Sequence, residues 1–193
     1  LLLDAKIIKL KHINSVPMDG YFKSSSYAPI LSNCGCVDFC DIPIPTPSEW
    51  NSVNQFYFLN KCKNIDTKII STSWDEKVQI AIFRGSASGC GINENTNMRI
   101  KAAVLGSQRP ELLDSGLTDL NKRYKKYSRS NLEMIDSKKF EKYIKKGMSF
   151  QELSQHRYIL HIDGHVASPQ LSVELSLGSV ILKVNSPYKL WYF

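Results

Sequence analysis

Residues 83–91, FRGSASGCG, place an arginine, three glycines and two serines directly after an apolar run. Backbone N–H groups in such a turn before a helix approach an anion closely, and the positive end of the helix dipole favours a phosphate there. Arg84 adds a planar guanidinium that is always charged. The stretch predicts a diphosphate-binding loop. The alternative is a glycine-rich turn in which Arg84 pairs with a nearby carboxylate.

A second polar stretch, DGHVAS at residues 163–168, also follows an apolar run. His161, Asp163 and His165 form an H-x-D-x-H pattern that is reminiscent of a metal site. On a strand, however, His161 and Asp163 share one face, whereas His165 lies beyond Gly164 in the following loop. We therefore predict satisfied polar residues beside a ligand site, with His165 placed to donate to a leaving phosphate.

Several other kinds of site are excluded by spacing. The glycines at 85, 89 and 91 do not match the dinucleotide pattern G-x-G-x-x-G, and no P-loop Lys-Ser/Thr pair is present. No serine stands in a G-x-S-x-G elbow. Cysteines 34, 36 and 40 lack the paired spacing of a zinc site. They are predicted to be small, partly buried thiols.

The pattern around the first loop predicts a strand followed by a helix. KVQIAIFRG, from Lys77, reads as a short buried strand. NENTNMRIKAAVLGSQ reads as a helix capped by Asn95 or Thr96. ELLDSGLT then reads as a second strand that ends in a Ser-Gly turn.

The C-terminal third repeats this order. SFQELSQH predicts a short helix in which Ser149 and Glu152 form a capping box. The remaining pattern predicts a strand, a helix with Ser168 as N-cap and Pro169 as its first residue, a stop at Gly178, and a strand. Strands that alternate with helices at this spacing indicate an α/β fold with a parallel sheet.

The chain divides by pattern into two parts. Residues 1–73 are irregular and rich in turn formers, including IPIPTPSEW, whereas residues 74–193 are regular. The sequence starts with Leu and stops in the apolar KLWYF, so we expect both ends to lie inside a longer protein. No apolar run is long enough to span a membrane, and the apolar, basic start lacks the features of a signal peptide.

Positive charge is concentrated in one segment. Residues 121–147 hold ten Lys or Arg against three acidic residues, and this equals the whole formal excess of +7. Such a basic insertion can attract nucleic acid or anionic lipid, but no RNA-binding or zinc-finger motif accompanies it. We expect a solvated loop and helix rather than a nucleic-acid interface. Five cysteines favour a reducing compartment, so a cytoplasmic location is expected, or the secretory pathway if a signal precedes residue 1.

Two long stretches together resemble glycosyltransferase family 90. They are FRGSASGCGINENTNMR (83–99) and YILHIDGHVASPQLSVELSLGSVILKVNSPYKLWY (158–192). The spacing F-R-G-S-x-[ST]-G, then D-G-x-x-[AS]-S, then G-S-V-[IL]-L-K-V, is similar to that family over residues 80–193. Residues 29–50 resemble its large-DNA-virus members, which implies the host cytoplasm or a virion as the location. The family includes fungal capsule-associated enzymes and animal protein O-glucosyltransferases.

The resemblance implies a GT-B architecture of two Rossmann-like lobes with a UDP-sugar between them. The C-terminal donor-binding lobe would be mostly present here and the N-terminal lobe incomplete. It also implies transfer of the sugar to a hydroxyl with inversion and without a metal. The sequence agrees on the metal, because it lacks the D-x-D carboxylate pair that holds a cation on the diphosphate.

The family's donor-site residues carry over to the two loops. The diphosphate would be lined by residues of the first loop, namely Arg84, Gly85, Ser86, Ser88 and Gly89. The second donor loop would consist of Asp163, Gly164, His165, Val166, Ala167 and Ser168. Glu174 is a candidate for the ribose or uracil side, and the alternative is a carboxylate on the helix surface.

Two departures from the family pattern concern catalysis. Gln170 stands where members generally have Arg, and losing one such contact to the departing diphosphate commonly costs on the order of a hundredfold in rate. The catalytic base of the family is an Asp in an R-D-F/Y-P motif. Asp4 in LLLDAKIIKLK aligns with that Asp, but the neighbouring residues differ. Asp38 and Asp41 are the other carboxylates considered, and Asp41 fits a structural turn better.

The sequence therefore predicts an inverting, metal-independent glycosyltransferase that moves a sugar from a UDP-sugar to a hydroxyl on a protein or a glycan, with no cofactor besides this donor substrate. Two alternatives stay open. One is a catalytically degenerate relative that keeps the fold and nucleotide binding. The other is a structural or nucleic-acid-binding protein that uses the basic segment 121–147.

Overall fold

The computed structural model describes residues 31–36, 42–47, 49–50, 72–125 and 131–192. Backbone contacts divide the chain into two compact units, one made of residues 1–46 with 187–193 and the other of residues 47–186. Asp4, Asp38 and Asp41 lie outside the described residues. The division predicted between residues 73 and 74 stays a prediction.

The first unit contains two small sheets among its described residues. Strand β1 (Leu31–Ser32) runs parallel to β3 (Ile42–Pro43), and β2 (Gly35–Cys36) is antiparallel to β8 (Tyr188–Lys189). Each strand has only two residues. This matches the weak periodicity and the many turn formers of this part of the sequence.

The second unit is built on a parallel four-stranded sheet. Its strands are β4 (Val78–Gly85), β5 (Leu113–Leu117), β6 (His156–His161) and β7 (Val180–Lys183), in the spatial order β5-β4-β6-β7. Helix α1 (Met98–Gln108) joins β4 to β5, and α4 (Gln170–Glu174) joins β6 to β7. Between β5 and β6 lie α2 (Ser137–Phe140) and α3 (Phe150–Leu153). The predicted α/β class with a parallel sheet is confirmed.

Helices cover both faces of this sheet. Ile82 and Phe83 are neighbours on β4, so their side chains point to opposite faces. Phe83 packs with Ala102 of α1, whereas Ile82 packs with Leu153 of α3. Apolar area is thus removed from water on both sides, which agrees with the uninterrupted apolar stretch IAIF within β4.

Helix α1 approaches β5 very closely through Gly106. A Cβ atom at this position would lie 2.6 Å from Cβ of Ser115 and 2.9 Å from the carbonyl oxygen of Leu113. Ser115 and Gly116 belong to the strand itself, so the Ser-Gly turn predicted there is wrong. Ser115 lies at the close contact between helix and strand, whereas a Cβ atom on Gly116 would lie 2.6 Å from the side chain of Lys145.

The predicted cap of α1 is also wrong. The cap is Asn97, whose side-chain oxygen accepts from the backbone N–H groups of Arg99 (3.0 Å) and Ile100 (3.3 Å). Asn97 has an extended backbone, as an N-cap requires. Thr96 instead forms a turn of its own, in which its N–H donates to the carbonyl of Asn93 (3.1 Å).

Helix α4 begins later than predicted, while the capping box of α3 is confirmed. Pro169 is the N-cap of α4, not Ser168. The N–H of Ser168 donates to the Oδ1 of Asp163 (2.9 Å), so that residue belongs to the preceding loop. In α3, Ser149 and Glu152 exchange both capping hydrogen bonds.

Candidate functional site

The order of the strands creates a crevice at the carboxyl ends of β4 and β6. Strand β4 continues through α1 to β5 on one side, while β6 continues through α4 to β7 on the other. Because β4 and β6 are neighbours, the loops that follow them diverge from a common edge. Such a switch point is where open α/β sheets bind their ligands. Residues 86–97 and 162–169 form these loops, and both were predicted to be ligand-binding.

The loop after β4 is tightly folded. Gly89 and Gly91 have φ angles of +94° and +85°, a region that side chains other than glycine rarely adopt. The Asn97 amide donates to the carbonyl oxygens of Ser88 (3.1 Å) and Gly91 (3.3 Å). One asparagine therefore caps α1 and holds the glycine-rich loop against it.

The two predicted loops are in contact with each other. A Cβ atom on Gly89 would lie 3.1 Å from the carbonyl oxygen of Gly164, and one on Gly164 would lie 2.8 Å from Oγ of Ser88. The structure thus brings together Ser88 and Gly89 of the first loop and Gly164 of the second. Only residues without large side chains fit this approach.

Arg99 was not singled out by the sequence, and it joins the two loops. Its side chain is buried and donates to the carbonyl oxygens of Ser86 (3.1 Å), Ile162 (2.7 Å) and Asp163 (3.2 Å). A signal was present, because Arg99 heads a face of small residues at positions 102, 103 and 106 of α1. A long cation at the end of such a face has to reach acceptors beyond the helix.

Arg84 is bound on the β5 side of the sheet edge. Its guanidinium donates to a carboxylate oxygen of Asp114 (Nη2 to Oδ2, 2.8 Å) and to the Asp114 carbonyl oxygen (2.9 Å). Lys145 holds the other carboxylate oxygen of Asp114 at 2.7 Å. Burial raises the pKa of Asp114, but these two cations outweigh it and the net pKa is lowered. This contact is the carboxylate pairing that was considered as the alternative for Arg84. The Nε atom of Arg84 is buried without a hydrogen-bond partner among the described residues.

A buried charge cluster lies at the end of β6. His161 Nδ1 is 2.5 Å from Oε2 of Glu174, and its Nε2 is 3.2 Å from Oδ1 of Asp163. Lys183 of β7 lies 3.3 Å from the other oxygen of Asp163. Glu174 is therefore a buried partner of His161 and not a carboxylate on the helix surface, while its assignment to ribose or uracil stays a prediction.

This cluster shifts two pKa values in opposite directions. Burial alone would lower the pKa of His161, but hydrogen bonds to Asp163 and Glu174 raise it overall. Burial would raise the pKa of Asp163, but His161, the Ser168 N–H and Lys183 hold it well below its usual range. His161 thus lies between two carboxylates, each within hydrogen-bond distance of one ring nitrogen, which matches the satisfied polar residues predicted for this place.

The other predicted residues of the second loop differ in exposure. His165, Val166 and Gln170 are exposed and can meet a ligand, whereas Ala167 and Ser168 are buried. A small cleft reaches Gln170 and has a mixed lining. Its polar residues are Arg84, Arg99, His161, Gln170 and Glu174, and its apolar residues include Ile82, Phe83 and Leu153.

Two further properties of the described residues concern metals and membranes. In the described ranges, no group of three His, Cys, Asp or Glu side chains is arranged to hold a metal ion. Nor does any helix in this part of the chain have the length and apolar character needed to cross a bilayer.

The fold is that of an α/β protein with a parallel sheet, and its two loops meet at the switch point, where sheets of this kind bind their ligands. The family model of "Glycosyl transferase family 90" matches residues 7–193. The chain therefore belongs to glycosyltransferase family 90, as the resemblance of its two loop motifs indicated.

The relatives come from viruses and from mammals. The chain is 38% identical over 184 residues to the uncharacterized protein 035R of Invertebrate iridescent virus 3, covering 93% of this chain and 17% of that protein. It is 26% identical over 166 residues to protein O-glucosyltransferase 3 of Homo sapiens, covering 83% of this chain and 28% of that protein. The chain thus spans less than a third of the length of these curated relatives.

Proposed function

We propose that the chain is the donor-binding part of an inverting, metal-independent glycosyltransferase. It would take a UDP-sugar as donor and a hydroxyl of a protein or a glycan as acceptor. The transferase class follows from the family, whereas the donor, the stereochemistry and the acceptor are part of the proposal. A relative carries the name protein O-glucosyltransferase 3, and this supports a protein hydroxyl as one acceptor.

The observation that carries the proposal is the joining of two loops at the switch point. The first supplies backbone groups of a tight glycine turn before α1, a helix of 11 residues. The second supplies exposed His165 and Val166 on the opposite side. A diphosphate bound at the start of α1 would be stabilised by the helix dipole, and the nucleoside would extend along the crevice.

The proposed reaction is a displacement at the anomeric carbon of the sugar. The acceptor oxygen forms a bond to this carbon while the bond from the carbon to the diphosphate oxygen breaks, and UDP leaves with that electron pair. A carboxylate takes the hydroxyl proton, and the aligned residue for this role is Asp4. The GT-B pairing of two lobes, with an acceptor-side lobe in residues 1–73 and beyond, belongs to the same proposal.

Residues of the crevice have separate proposed roles. Ser86, Ser88 and Gly89 would hold the diphosphate through their backbone and hydroxyl groups. His165 is exposed beside them and would donate to the leaving phosphate. Ser168 and Ala167 are buried and would shape the loop rather than contact the donor.

Two observations favour the catalytically degenerate relative as the second candidate. Arg84 is held by Asp114, and Gln170 supplies no charge at the start of α4. Both residues therefore differ from the free cations that a departing diphosphate needs for rapid transfer. In this candidate UDP binds but sugar transfer is lost.

Calorimetry of the whole chain with UDP, and with ADP as control, tests the proposal. We expect UDP to bind in preference to ADP with EDTA present. Sugar transfer from UDP-sugars would then distinguish the enzyme from the degenerate relative. A chain that binds UDP no better than ADP would contradict both candidates.

A matched pair of variants tests whether Arg84 contacts the diphosphate. If this residue contacts the diphosphate, Arg84→Ala weakens UDP binding, while Asp114→Asn, which releases the guanidinium, retains or strengthens it. If Arg84 only fixes β4 against β5, both variants lower the melting temperature and leave the affinity for UDP similar.

A further inference from the structure

Lys125 belongs to neither predicted loop, but its side chain contacts the first of them. Lys125 follows β5 and is only 4% exposed. Its Nζ donates to the carbonyl oxygen of Ala87, in the middle of the glycine-rich loop. Its backbone exchanges hydrogen bonds with Glu133 (2.8 and 2.9 Å). The backbone pairing fixes where the ammonium is presented.

Within the described residues, the ammonium of Lys125 has spare donors. An ammonium group has three N–H donors, and these residues supply one acceptor, the oxygen of Ala87. Burial lowers the pKa of Lys125, and Cys90 and Asp119 only partly offset this effect. A buried cation with one acceptor in this part of the chain is costly. An anion at this place would reduce that cost.

Further cations lie on the segments around this loop. Arg99, at the start of α1, donates to the carbonyl oxygen of Ser86 at 3.1 Å. Arg123 is exposed and stands two residues before Lys125 on the same segment. The pKa of the exposed His165 imidazole is lowered first by burial and then by Lys125, Arg123 and Arg99, which agrees with positive charge around the first loop.

We infer that Lys125 and Arg123 complete a binding site for a diphosphate group on the loop of residues 86–91. The inference deepens the proposed function and rests on it for the identity of the nucleotide. It assigns the start of the basic segment to the ligand site instead of to a nucleic-acid surface. Lys125 would contact the diphosphate from inside the loop, and Arg123 from the solvent side.

The test is calorimetric titration of the whole chain with UDP and, separately, with inorganic pyrophosphate. Variants Lys125→Met and Arg123→Ala are compared with the neighbouring, exposed Lys122→Ala. We expect Lys125→Met to lower the affinity for both ligands about tenfold or more, because a buried charge contact is lost. Arg123→Ala should lower the two affinities about threefold, because exposed charges contribute less. Lys122→Ala should bind as the original chain does.

The outcomes separate this inference from the proposed function. Arg123→Ala cannot disturb the core, so it remains informative if Lys125→Met fails to fold. Affinities of the folded variants within twofold of the original would overturn the inference, even if UDP binds well. Pyrophosphate binding that depends on Lys125 and Arg123, without any preference for UDP, would support the inference and contradict the proposed donor. A chain that binds neither ligand would overturn both.

Discussion

The Nη2 atom of Arg99 lies 2.7 Å from the carbonyl oxygen of Ile162, at the point where β6 gives way to its loop. The same guanidinium reaches the carbonyl of Ser86 after β4. Arg99 of α1 thus fixes the distance between the carboxyl ends of two neighbouring strands. Since both loops are proposed to contact the same ligand, this spacing sets the width of the site.

Replacing Arg99 with Lys should loosen both loops. An ammonium cannot satisfy carbonyl oxygens from two strands in a planar fork, so buried acceptors lose their partners. We expect a loss of about 2–3 kcal/mol in the free energy of unfolding and weaker UDP binding. Urea unfolding and calorimetry measure the two effects.

The control is Arg109→Lys, just beyond the other end of α1, where the side chain is 63% exposed. It should change the free energy of unfolding by less than about 0.5 kcal/mol. Equal effects of the two substitutions would argue against a role of Arg99 in joining the loops.

The His161 cluster should make stability depend on pH. Because the folded pKa of His161 is raised, its stabilising contribution is complete below the unfolded value of about 6.5. That contribution is lost as the pH rises through the folded pKa. The lowered pKa of Asp163 acts at the acid end, where stability is lost as the pH falls.

We therefore expect His161→Gln to cost more free energy of unfolding at about pH 5.5 than at about pH 9. Urea unfolding of the original chain and the variant at both pH values gives the difference. His165→Gln is the control, because the pKa of that exposed histidine is lowered and its substitution should not show this trend. A cost of His161→Gln that is independent of pH would show that folding does not raise the pKa of this histidine.

The close contact of α1 with β5 predicts a large effect of one methyl group. In Gly106→Ala the new Cβ would meet the Ser115 backbone nitrogen at 2.9 Å, and backbone atoms cannot move aside cheaply. We expect a loss of about 1–3 kcal/mol, measured by thermal unfolding. In Gly147→Ala the nearest atom is 3.8 Å away, on Thr118. That control should melt within a degree or two of the original chain, and similar melting of both variants would contradict the packing argument.

Features that depend on neighbouring residues were predictable from the sequence. The parallel sheet follows from alternating strand and helix patterns, and the capping box from Ser149 and Glu152 alone. The choice of Asn97 as cap was not predictable, because Asn95 and Thr96 are also good caps by type. Its amide bonds to Ser88 and Gly91 favour Asn97, and these exist only once the loop has folded back.

Long-range contacts explain the remaining differences. The pairing of Arg84 with Asp114 depends on the register of β4 against β5, in which Ile82 stands opposite Asp114. The role of Arg99 depends on acceptors more than sixty residues away along the chain. The face of small residues on α1 was a signal for Arg99, but no local pattern contains its acceptors or the register of the strands. The two loops could therefore be predicted, but not the contacts that join them.

Alkylation of Cys90 tests the location of UDP most directly. This thiol is exposed between Gly89 and Gly91, on the loop proposed to hold the diphosphate. Its rate of reaction with iodoacetamide is followed by mass spectrometry, with Cys34 of the other unit as internal reference. At a UDP concentration ten times its Kd, we expect the Cys90 rate to fall by about tenfold, with Cys34 unchanged and ADP without effect. An unchanged Cys90 rate in the presence of UDP would contradict a donor site on this loop.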